Sequence, residues 1–158
     1  MPDSIINQSV RKVEPLLTTE TVGAAALRVL EADLPALPVV YPDGRFAGLF
    51  GEREFMAALF PGYVAELGSA RMIRRSIDET IERRVECSGE PIARYLTTDH
   101  VLVEGDYSDT QLAEIFLHHR VLIVPISISG QIRGVVTRAD FFRALTSRFA
   151  RAVDESRD

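Results

Sequence analysis

Two stretches of the chain repeat one pattern of apolar and polar positions. From Thr21 to Leu59, and again from Asp109 to Leu145, apolar residues first recur at helical spacing. They are Val22, Ala26 and Val29/Leu30 in the first stretch, and Leu112, Ile115/Phe116 and His119 in the second. Ala26 stands twelve residues before Pro38, and Ala113 twelve before Pro125. Each proline is read as opening an apolar strand, "PVVY" or "PISI". A turn follows at Asp43-Gly44 or Ser129-Gly130, where glycine can take a positive φ. A second strand ("RFAGLF" or "QIRGVV") then leads into a second helix ("EREFMAAL" or "RADFFRAL"). A short strand near "LLTTE" or "HVLVEGD" precedes each copy.

This is a duplication, and it predicts an α+β fold of two repeats, each a small β-sheet with packed helices, related by a pseudo-twofold axis. Each copy is too small to bury a comfortable core alone, so the two are expected to pack together. The expected boundaries are 1–60 for the first repeat with its N-terminal segment, 61–90 for a connecting helical segment, 91–150 for the second repeat, and 151–158 for a solvated helical tail. Pro61-Gly62 and Ser88-Gly89 break the chain on either side of the connector. Ile73, Ile77, Ile81 and Val85 form an i, i+4 stripe there. The stripe reads as a linker helix packed on the domain or on a second subunit. The alternative gives Arg71, Arg74, Arg75, Arg83 or Arg84 a phosphate to hold, and the spacing selects none of them.

Composition narrows the function classes. Hydrophobic residues make up 46% of the 158, which is enough for a packed core. A net charge of −5 argues against a nucleic-acid surface. Cys87 is the single cysteine, so there is no internal disulfide, in keeping with a reducing compartment. No apolar run approaches the roughly 18 residues of a membrane span, and "MPDSIINQSV" lacks the features of a signal peptide. A cytoplasmic protein without membrane contact is expected.

The stretch "GVVTRAD", Gly134 to Asp140, carries the candidate chemistry. Thr137 stands where a helix N-cap belongs, with Asp140 at capping-box spacing. The same arrangement gathers backbone N–H groups, a hydroxyl and a carboxylate at a positive helix end, where an anion is welcome. Both readings stay open on the residues alone, and they are compatible. His118 and His119 are adjacent on a helix and point apart, a poor chelating pair, so no metal site is expected. There is no serine nucleophile elbow or P-loop, and Cys87 has no histidine near it in sequence. The chain is not expected to be an enzyme or to require a cofactor.

In order and spacing, "ALPVVYPDGRFAG", "PIARYLTTDHVLV" and "LIVPISISGQIRGVVTRADFFRAL" resemble the cystathionine β-synthase (CBS) domain, and the duplication resembles a CBS pair, or Bateman module. The resemblance covers about residues 10–60 and 91–150. It implies a regulatory module with clefts for adenosine-containing ligands (AMP, ADP, ATP or S-adenosylmethionine), and a homodimer. It also implies that Asp140 takes ribose hydroxyls and Thr137 contacts the ribose-phosphate side, with Gly134 letting the chain run close to the ligand. The base would lie against Val101, Thr98 and His100, and Arg138 is the nearest basic candidate for phosphate. In the first copy, "GLFGERE" departs from the pattern: Gly51 replaces the hydroxyl residue and Glu54 the aspartate. That site is expected to be weakened, leaving one competent cleft between the repeats. The positions before each strand proline, Pro35-Ala36-Leu37 and Leu122-Ile123-Val124, lack the arginine or histidine that some nucleotide-binding members place there. Two functions are therefore carried forward. One is a sensor of an adenosine-type ligand that signals to an effector protein. The other is a ligand-free dimerisation scaffold.

Overall fold

Left-handed backbone sits at the predicted hairpins. Gly44 has φ +91°, and Ser129 and Gly130 are consecutively left-handed at +53° and +79°, the twist that matches a two-residue hairpin. The structure, a computed structural model, describes residues 4–61, 76–98, 102–105 and 108–158. In chain order these form α1 (Ile5–Ser9), β1 (Leu16–Leu17), α2 (Val22–Ala32), β2 (Ala36–Val40), β3 (Phe46–Gly51), α3 (Glu52–Leu59) and α4 (Ile77–Arg83). Two 3-10 turns follow, Val85–Gly89 and Ile92–Arg94, and then β4 (Val103–Glu104), α5 (Asp109–His118), β5 (Ile123–Ile128), β6 (Gln131–Thr137) and α6 (Arg138–Ser156). The fold is α+β.

Each repeat builds one three-stranded sheet, in the order β1-β2-β3 or β4-β5-β6. The short strand runs parallel to the middle one, and the hairpin partner runs antiparallel. The middle strands begin two residues before the prolines expected to open them. Proline lacks the N–H that a central strand must donate on both sides. It fits here because the parallel neighbour pairs only from Val39 (with Leu16) and from Ile126 (with Val103), one residue past each proline.

The chain divides into two compact units, Pro15–His100 and Met1–Glu14 with Val101–Asp158. In the latter, Ile5, Val103, Leu112, Val124, Ile126, Val136 and Phe141 form a continuous core. The amides of Ile5 and Ile6 each donate to the Asp109 carboxylate at 2.9 Å, so α1 is tied to the first turn of α5. In the other unit Leu16, Val22, Val39, Phe50 and Ile92 are fully buried. There the 3-10 turn at Val85–Gly89 packs on α2, where Gly23 leaves room for Ser88.

Two expected packing positions differ, and the connector stripe is exposed. On α2 the buried set is Val22, Ala25 and Val29, while Leu30 is 75% exposed. On α5, Leu112 is buried, but His119 is an exposed C-cap. The isoleucine stripe of the connector turns away from its own unit. Ile77, Ile81 and Val85 are exposed, and the buried position of α4 is Thr80. Ile73 and Arg71, Arg74 and Arg75 lie outside the described residues.

A lead-in segment covers the outer edge of each sheet. Arg11 pairs with Val135 through two N–H···O bonds of 2.9 Å, and Thr97 pairs with Leu49 through bonds of 3.0 and 3.1 Å. A glycine sits beside each bridge. A methyl group at Gly134 would meet the Arg11 carbonyl oxygen at 2.6 Å, and one at Gly48 the Thr97 carbonyl oxygen at 2.6 Å. Gly48 also has a positive φ of 153°. Gly44, by contrast, faces open space. Gly134→Ala is therefore expected to cost about 2–3 kcal/mol by overpacking, and Gly44→Ala about 1 kcal/mol by backbone strain alone. Urea unfolding of the two variants against the parent chain measures the difference.

Candidate functional site

β6 delivers Thr137 to the start of α6, where the strand's extended backbone (φ −88°, ψ 151°) turns into helix. Thr137 is buried, and its hydroxyl oxygen accepts from the Asp140 amide at 3.0 Å. The expected cap is therefore present. Asp140, one turn into the helix, directs its carboxylate to Arg11. The Arg11 Nε donates to Oδ2 at 2.6 Å and Nη2 to Oδ1 at 3.0 Å. Arg143 on the next turn brings Nη1 to 3.6 Å from Oδ1. The Arg11 bonds hold the Asp140 carboxyl below its ordinary range; burial opposes them, and the Thr137 hydroxyl and Arg143 add to them. The Asp140 side chain is 11% exposed and that of Arg11 41%.

The other candidate residues fall as follows. Gly134 lies on β6 with the Arg11 carbonyl against it, so its missing side chain admits the protein's own backbone. Arg138 is the first, exposed residue of α6, its amide donating to the Leu122 carbonyl at 2.9 Å. Thr98 is exposed and belongs to the other compact unit. His100 and Val101 lie outside the described residues. His118 ends α5, exposed like His119.

The first repeat repeats the geometry with different chemistry. Gly51 caps α3 without a side chain. A methyl group there would collide with the Pro35 carbonyl oxygen and with the Cα of Ala36. Gly51 and Thr137 pair in the same register, with Ala36 and Ile123, but the Gly51 backbone (φ −164°, ψ −151°) differs from that of Thr137 and leaves no room for a side chain. Glu54 is buried and accepts a hydrogen bond of 2.5 Å from the Thr97 hydroxyl. Of the connector arginines, Arg84 has a structural task. It donates to the Ala58 carbonyl at 3.0 Å and to the Tyr95 hydroxyl at 3.1 Å. Tyr95 in turn donates to Glu90, and that bond and then burial hold its hydroxyl protonated above the ordinary range.

The sequence reading missed Arg11. Its only signal was position: Arg11 lies five residues ahead of Leu16, much as Thr97 lies six ahead of Val103.

Residues 92–147 match the family model described as CBS domain. The second repeat matches the CBS domain, and the chain has the fold of a tandem CBS pair. The CBS domain of a CBS-domain-containing membrane protein from Sphaerobacter thermophilus superposes with a TM-score of 0.68 at 22% identity, over 89% of this chain and 86% of that one. A putative acetoin utilization protein (AcuB) from Vibrio cholerae gives 0.69 at 17%, over 96% of both chains. CBSX2 in complex with AMP gives 0.65 at 16%, over 91% of this chain and 96% of that one. No curated protein matches the chain. The CBS match begins at residue 92, within the segment that bridges to the first repeat's sheet through Thr97.

Two outcomes follow from the geometry of the two repeats. Because the Asp140 carboxyl is held below its ordinary 3.8, its contribution to stability is complete above about pH 4 and is lost as pH falls through the lowered value. Asp140→Asn is expected to cost about 1 kcal/mol at pH 7, discounted for the exposed arginine. The gap to the parent should close below pH 3.8, as followed by urea midpoints across pH. Gly51→Thr, which would restore a hydroxyl to the first repeat, is expected to destabilise by about 2–3 kcal/mol. Calorimetric unfolding measures that cost.

Proposed function

We propose that this chain is a regulatory module that senses an adenosine-containing ligand at the start of α6 in the second repeat and passes its occupancy to a partner protein. The observation that carries the reading is the pairing of the buried Thr137 with the nearly buried Asp140 carboxylate at the N-terminus of a 19-residue helix. An ionised carboxylate accepts from two vicinal hydroxyls, while the helix end and the Thr137 hydroxyl favour a phosphate. The AMP complex of CBSX2 supports the ligand class. In the first repeat, a crowded Gly51 and a Glu54 tied to Thr97 support a single competent site. Binding regulates a partner, or a second copy in a homodimer, only if the ligand prefers one arrangement of the module over another. Nothing in this reading requires catalysis or a resident cofactor.

The second reading is a ligand-free scaffold that dimerises and docks a partner. Phe142, Leu145 and Phe149, exposed along α6, favour it. Among the described residues no helix is long and apolar enough to cross a membrane.

Thermal unfolding with AMP, ADP, ATP, S-adenosylmethionine and adenosine, each at about 1 mM, decides between the two readings. A ligand at about 100 times its Kd adds about 2.7 kcal/mol, which raises Tm by several degrees. At least one adenosine compound is expected to raise the transition, and Asp140→Ala, compared with its own ligand-free baseline, is expected to lose the rise. If no compound shifts either the parent protein or a variant with Arg11→Gln, the scaffold reading replaces the sensor.

A further inference from the structure

The carboxylate assigned to the ligand already has an occupant. Arg11 clamps both Asp140 oxygens with a two-pronged set of bonds, the geometry in which a guanidinium binds a carboxylate most strongly. A ribose offers two O–H donors to the same two oxygens. With only 11% of the Asp140 side chain exposed, little of the carboxylate is left for a second bidentate partner. Arg11 is also fixed through its backbone. Its N–H and C=O both bond to Val135, and Gly134 admits its carbonyl. The clamp is therefore part of the folded unit rather than a passing surface contact.

We propose that Arg11 is a built-in competitor at the candidate site: the ligand's ribose hydroxyls take Asp140 only by displacing the Arg11 guanidinium. This rests on the adenosine reading above and adds a threshold to it. The apparent affinity falls by the share of molecules in which the clamp is closed. It also links the site to the N-terminal segment, because the displaced side chain belongs to the residue that pairs α1's trailing end with β6. The first repeat has no such competitor at the matching place: Thr97 there offers a neutral hydroxyl to Glu54.

Titration calorimetry with AMP tests this on the parent chain, Arg11→Gln, Arg11→Lys, and Arg11→Gln combined with Asp140→Asn. Arg11→Gln is expected to bind AMP about fivefold more tightly, the scale on which a partly exposed ion pair competes. Adding Asp140→Asn should abolish that binding. Binding by Arg11→Gln where the parent shows none supports the competitor still more directly. Equal or weaker binding by Arg11→Gln overturns the competitor and leaves the adenosine site standing; weaker binding would mark Arg11 as a phosphate contact. If no protein in the series binds AMP or any of the other four adenosine compounds, the adenosine reading fails and the competitor fails with it. Arg11→Lys keeps the charge but not the fork, so it decides the matter if Arg11→Gln does not fold. Tighter binding than the parent then supports the proposal, and no gain overturns it.

Discussion

The structure of each unit depends on one close contact, a lead-in segment laid across a glycine at the outer edge of a three-stranded sheet. A hairpin joined to a two-residue parallel strand leaves its third strand with an open row of N–H and C=O groups. Arg11 closes that row beside Gly134, and Thr97 closes it beside Gly48. Both contacts need a residue without a side chain, because the approaching carbonyl oxygen would lie 2.6 Å from a Cβ. The glycines of "GVVTRAD" and "GLFGERE" are thus explained by the fold before any ligand is considered. A glycine at this place in a CBS repeat is weak evidence of a binding site.

The same contact sets the chemistry of the site. Fixing the backbone at position 11 or 97 brings that residue's side chain to the acid one turn into the following helix, Asp140 or Glu54. In the second repeat the result is an ion pair, and in the first it is a buried acid accepting a hydrogen bond from a hydroxyl. The Asp140–Arg11 pair keeps a route to water through the 41% exposed arginine, while the Asp140 side chain is 11% exposed. Glu54, by contrast, is buried.

What was legible in the sequence was local. Helix and strand spacings, the Ser129-Gly130 turn and the Thr137 cap are decided within a few residues, so each could be read from the chain. The duplication then fixed the element order of both repeats. The partner of Asp140 was not legible, because Arg11 lies 129 residues away and only the sheet edge brings the two together. Gly51 was read as a lost hydroxyl, whereas its neighbours Pro35 and Ala36 leave no room for one. Of the predicted isoleucine stripe, Ile77 and Ile81 lie on one short helix and Val85 in the 3-10 turn after it, all three exposed; periodicity alone does not say which way a face turns.

The difference between the two acids has a physical meaning beyond degeneration. Glu54 is one methylene longer than the aspartate at the matching place, and its partner, a threonine hydroxyl, is the shorter of the two partners. With the backbone pairing repeated in both units, the longer acid is the one that can reach the shorter partner. Glu54 and Thr97 thus fit each other in length and are joined by a hydrogen bond inside the first repeat. Asp140 and Arg11 form the other pair, held by charge and accessible from the arginine side. The two repeats therefore keep one backbone pairing and differ in the chemistry of the side chains at positions 11, 54, 97 and 140.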